Sequence, residues 1–190
     1  MRTVKRDLLV LGSLLLLGSL SLTGCTPDPA PRASPTSVPT DAPVFASDEE
    51  ALAAATEAYA AYLAAIDAVL ADSGNDMSEL ADVAAGEALR AETDSASLYF
   101  SNGYRSIGTT SFDSLKLQSI DDDGRGSAVV NAYLCSDVTG VDVVNTADVS
   151  VVPDDRVDRF PIQVSLHNSR VASKDLVITS SESWTGKNYC

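Results

Sequence analysis

The chain has 190 residues and carries 27 acidic against 13 basic side chains, a net charge of −14 at pH 7. A surface of that sign is repelled by nucleic acid and by anionic lipid headgroups, so composition excludes a nucleic-acid-binding role. One histidine, three cysteines and no CxxC spacing likewise exclude a His-rich or Cys/His zinc centre.

The N-terminus opens with Arg2, Lys5 and Arg6, followed by an apolar run from Leu8 to Leu22 broken only by Gly and Ser. That run is short for a membrane span and has the proportions of a signal-peptide core. It ends in Leu22-Thr23-Gly24-Cys25, which resembles the lipobox of bacterial lipoproteins. The resemblance implies a signal peptide over 1–24, cleavage before Cys25 and a diacylglyceryl group on the Cys25 thiol. One acyl chain holds a protein marginally, whereas two hold it stably, so attachment comes from the lipid and not from charge. The cleaved chain keeps 10 basic and 26 acidic residues, a net −16.

With Cys25 assigned to lipid, Cys135 and Cys190 remain, and an exported protein meets oxidising conditions in which disulfides persist. A Cys135–Cys190 bond is therefore expected, worth roughly 3–4 kcal/mol on the chain-entropy view. Residues 26–46 hold Pro27, Pro29, Pro31, Pro35, Pro39 and Pro43 among Ser, Thr, Ala and Asp. Such a stretch favours extended polyproline II over a packed core. At about 3.1 Å per residue it reaches roughly 60 Å from the membrane. Residues 25–46 thus read as the lipidated Cys and a Pro-rich linker, and 47–190 as the domain.

Ser47-Asp48-Glu49-Glu50 is a helix start with Ser47 as N-cap and Glu50 three residues later. An Ala-rich helix follows to about Asp72, with Leu52, Ala55, Tyr59, Leu63, Ile66 and Leu70 marking one face at spacings of three and four. A second helix is predicted from about Asp76, with Leu80 and Val83 inward, and a third from about Gly86 to Phe100. After Asn102-Gly103, Val, Ile, Thr and Ser replace Ala. Strands are predicted around Leu115–Ile120, over Ala128–Cys135, Val141–Val152, Phe160–Leu166 and Leu176–Trp184, with His167-Asn168-Ser169 as a turn. The expected class is α+β: N-terminal helices followed by a curved antiparallel sheet of four to six strands.

This order of elements, with an aromatic-bearing first helix, resembles the cone-shaped NTF2-like fold. The Ala/Asp-rich exported form, with Cys135-Ser136-Asp137 ending a strand and Trp184 shortly before Cys190, resembles small lipoproteins of actinobacteria. The resemblance implies a pocket at the open end of a cone, with Tyr59, Leu63, Tyr99, Tyr133 and Trp184 as candidate lining. Aromatics at such spacings are more often core than ligand contacts. Relatives that act as isomerases or polyketide cyclases use an inward Asp or His beside a Tyr or acidic donor, and no inward Asp stands out here.

No Gly-x-Ser-x-Gly elbow, Ser-x-x-Lys pair or phosphate-cradling loop is present. Counted from Asp121, the twelfth position of an EF-hand loop falls on Ala132, so Asp121-Asp122-Asp123-Gly124 reads as a hairpin turn and not a calcium site. No catalytic residue, metal ligand or cofactor is expected. The sequence points to a non-enzymatic lipoprotein on the outer face of the cytoplasmic membrane, binding an envelope protein or a small hydrophobic ligand. The alternative is an NTF2-like isomerase- or cyclase-type enzyme acting on a small hydrophobic ligand.

Overall fold

The computed structural model describes residues 42–190; the signal segment, Cys25 and the Pro-rich stretch up to residue 41 lie outside the described residues. The described chain is α+β: helices α1 (Asp48–Ala71), α2 (Leu80–Val83) and α3 (Gly86–Asn102) precede strands β1 (Arg105–Ile107), β2 (Ser111–Asp122), β3 (Ala128–Asp137), β4 (Asp142–Val144), β5 (Arg159–Asn168) and β6 (Leu176–Ser183).

α1 starts where the capping residues place it. Ser47 Oγ accepts from the Glu50 amide at 3.3 Å, and Glu50 Oε2 accepts from the Ala46 amide at 2.7 Å, a reciprocal pair one residue wider than the usual box. Val44 and Phe45, upstream of the expected boundary at 47, are buried in the core. The Val44 amide donates to Asp122 Oδ2 at 2.7 Å, which fastens this entry segment to the far end of β2. The domain therefore begins before its first helix.

The buried face of α1 is Ala51, Ala55, Tyr59, Tyr62, Leu63, Ala65 and Val69. Leu52, Ile66 and Leu70 lie at its flanks, half-buried. Alanine on every side of this helix blurs the pattern from which a face is read. By length and composition α1 is apolar enough to cross a membrane, but here it is the core helix of the domain.

β2, β3, β5 and β6 form one antiparallel sheet in that order, and β1 pairs with β4 in a separate ribbon. On β3, Ala128, Val130, Ala132 and Leu134 are fully buried at period two; on β5, Ile162, Val164 and Leu166 face the same way. This inner face packs on α1, and the ring of Phe112 meets Tyr59 edge to face at 4.9 Å. Ala65, Val69, Leu80 and Ala96 make a smaller cluster among the three helices.

β2 carries two bulges, between Asp113 and Lys116 and between Leu117 and Ser119. Each inserts one residue, so Phe112, Leu115, Leu117 and Ile120 all pack against the core despite spacings of three, two and three. The predicted strand over Val141–Val152 is instead the three-residue β4. The reason is local: Asn145 Oδ1 accepts from the Ala147 and Val149 amides, closing a turn that ends the strand. His167, predicted in a turn, lies within β5 opposite Val129 and is exposed.

Candidate functional site

Residues that alternate with the buried positions of β3 and β5 face away from the helices. Part of that outer face is covered by the segment that follows β6. The Trp184 amide donates to the Pro161 carbonyl at 2.9 Å, and Asn188 Nδ2 donates to the Arg159 carbonyl at 3.0 Å. Arg159 Nε in turn donates to the Cys190 carbonyl oxygen at 3.1 Å. A disulfide joins Cys135 of β3 to Cys190, with Cα atoms 5.7 Å apart. At Gly186 the chain folds onto the indole so closely that a Cβ would lie 2.2 Å from Trp184 Nε1.

Together the sheet and this tail enclose a groove of about 450 Å³ lined by Ser114, Lys116, Tyr133, Arg159, Trp184, Tyr189 and the disulfide. Its volume lies within the ~300–1,000 Å³ of small-molecule sites. Tyr133 and Trp184 meet edge to face at 5.4 Å. Ser114 lies within the first β2 bulge and sits at φ +58°, a conformation that L side chains rarely adopt. The bulge turns Asp113, Ser114 and Lys116 outward along one edge of the groove.

The charges are partly spent on one another. Arg159 holds Asp113 through two hydrogen bonds, of 2.5 and 2.8 Å, and lies 3.7 Å from Asp137. The Arg159 hydrogen bond, with help from Ser114, draws the Asp113 carboxyl down to about 2. Thr139, then Arg159, also lowers Asp137. Lys116 has no carboxylate partner among the described residues. Burial and then the neighbouring Tyr133 raise the Tyr189 phenol.

The five residues singled out as pocket lining fall in three places. Tyr133 and Trp184 come together in the outer groove. Tyr59 is in the core between α1 and the sheet. Leu63 packs there too and borders a second groove, of about 590 Å³, that runs along α1 beside Ala60, Ala64, Ala68 and Thr109–Phe112. Tyr99, on α3, packs edge to face on Tyr104 at 6.2 Å. Ser114, Lys116, Arg159 and Tyr189 were not singled out; their outward phase depends on a bulge and on a tail whose path the disulfide determines.

A half-buried acid on α3 lies outside the residues named from the sequence. Tyr62 Oη donates to Glu92 Oε1 at 2.6 Å, joining α1 to α3. Burial raises the Glu92 carboxyl, and burial, followed by the Glu92 charge, raises the Tyr62 phenol. The Ser181 hydroxyl lies beside both Tyr59 and Tyr62. The sequence signal was available: Glu92 falls midway between buried Ala88 and Ala96 at helical spacing.

Among the described residues no three His, Cys, Asp or Glu side chains are grouped to hold a metal. The hairpin carboxylates bond to their own backbone: Asp122 Oδ1 accepts from Gly124, and Asp123 Oδ1 from Arg125 and Ser127.

Comparison with family models and with curated proteins returned no match to the chain. Among solved structures, the chain is similar to the intermembrane-space region of the chloroplast protein ARC6, at 14% identity and a TM-score of 0.49, over 70% of this chain and 95% of that one. The described residues themselves form an α+β domain with a disulfide-fastened tail and an aromatic groove on the outer face of its sheet.

Proposed function

We propose that the protein is an extracytoplasmic lipoprotein, anchored through diacylglyceryl on Cys25, whose NTF2-like domain is a non-enzymatic binding module. The observation that carries this reading is the Cys135–Cys190 disulfide. With three cysteines in the chain, it leaves Cys25 as the remaining thiol, directly after Leu22-Thr23-Gly24. A structural disulfide belongs to an oxidising compartment, which agrees with export. Pro27 to Pro43 then act as a spacer, and the outer groove is the surface presented to a ligand.

The test is partition of the full-length protein, expressed in a host with a lipoprotein pathway, between detergent-rich and aqueous phases. The wild type enters the detergent phase and incorporates labelled palmitate; Cys25→Ala does neither. Equal partition of the two proteins, with no label in the wild type, contradicts the reading.

The alternative, an isomerase- or cyclase-type enzyme, draws its support from the Glu92–Tyr62 pair, a carboxyl and a phenol in hydrogen-bond contact within the fold. Against it, Tyr59, Tyr62, Leu134 and Val164 fill the space between α1 and the sheet, and neither member of the pair lines the grooves described above. The phenol proton is also committed to Glu92.

A further inference from the structure

We propose that the outer groove binds an acidic saccharide, with sugar rings against Trp184 and Tyr189 and a carboxylate at Lys116. The proposal rests on the reading of the domain as a binding module and names its ligand class. Trp184 and Tyr189 remain 40% and 55% exposed although they line a groove, so ring surface is available to the apolar face of a pyranose. The described hydrogen bonds engage neither the Tyr133 and Tyr189 hydroxyls nor the Lys116 ammonium. That leaves a ring of donors suited to a hydroxyl-rich ligand.

A direct contact selects the acidic form. Arg159 is engaged by Asp113 and Asp137, whereas Lys116 has no carboxylate partner among the described residues, so its ammonium is open to a ligand carboxylate at short range. A peptide is the less suitable occupant, because recognition by strand addition needs a free sheet edge. The β2 edge is broken by its two bulges, and β6 is bridged by Ala84 and by the Ala85 amide bonded to the Ile178 carbonyl. A ligand here meets side chains and not a backbone ladder.

The chain has a single tryptophan, so indole emission reports this groove alone. Full-length protein in detergent is titrated with trigalacturonate, with neutral cellotriose and with an acidic peptide. The expected result is a saturable emission change with trigalacturonate, about tenfold weaker with cellotriose, and no competition from the peptide. Lys116→Gln weakens trigalacturonate binding about tenfold and leaves cellotriose unchanged. Tyr133→Ala and, by calorimetry, Trp184→Phe weaken both saccharides, with circular dichroism verifying the fold of each variant. Absence of saturable binding, tighter binding of the peptide, or indifference to Lys116 overturns the proposal. Failed binding with detergent partition intact removes this proposal alone. Lost partition removes the anchor reading, whatever the groove binds.

Discussion

Tyr62 and Glu92 are the residues at which burial and charge conflict most. Removing the phenol hydroxyl strands a half-buried carboxyl, so Tyr62→Phe is expected to lower stability by about 1–3 kcal/mol, read from urea unfolding. The pH dependence follows from the direction of the shift. Glu92 is harder to ionise in the folded chain than at its ordinary 4.5. Its favourable contribution is complete below that value and is lost as pH rises through the raised folded value. Glu92→Gln removes this decline, so the variant gains on the wild type as pH rises above 4.5. Asp113 has the opposite sign: its pairing with Arg159 contributes above 3.8 and is lost as pH falls through about 2. Asp113→Asn should therefore differ from wild type at neutral pH and converge with it in acid. Neither partner choice was legible in the sequence, because Tyr62–Glu92 and Asp113–Arg159 are separated by 30 and 46 residues.

At the scale of elements, what could be read was what local chemistry decides. The start of α1 follows from Ser47 and Glu50, whereas the end of β4 was not legible, because the Asn145 turn that closes it interrupts a run of β-favouring residues through hydrogen bonds seen only in the structure. Ser47→Ala should cost about 1 kcal/mol in thermal or urea unfolding, the usual loss of an N-cap. The corner between β1 and β2 is more demanding. Gly108 sits at φ +91°, and a Cβ there would lie 1.9 Å from the Gly140 carbonyl oxygen. Gly108→Ala must displace backbone, and a loss of at least about 2 kcal/mol is expected by the same measurement. The bulges of β2 escaped sequence reading because a bulge breaks the period of two from which a strand's phase is inferred. Lys116 and Ser114 could not be assigned to a face without it.

At the scale of the whole molecule, the Cys135–Cys190 disulfide organises the described domain. The disulfide spans 55 residues and pins the tail that completes the groove. On the chain-entropy model its loss costs about 4 kcal/mol, and reduction should also release Trp184 to solvent, visible as a red shift of its emission. The pairing was legible by elimination once Cys25 was assigned to lipid; the groove was not, because it exists only when the tail returns across the sheet. The most direct test of the account is the intact mass of the membrane-extracted protein before and after reduction. The expected protein begins at Cys25, carries the added mass of a diacylglyceryl group, and gains two hydrogens on reduction. A chain that retains residues 1–24, lacks the lipid mass, or does not change on reduction contradicts the account.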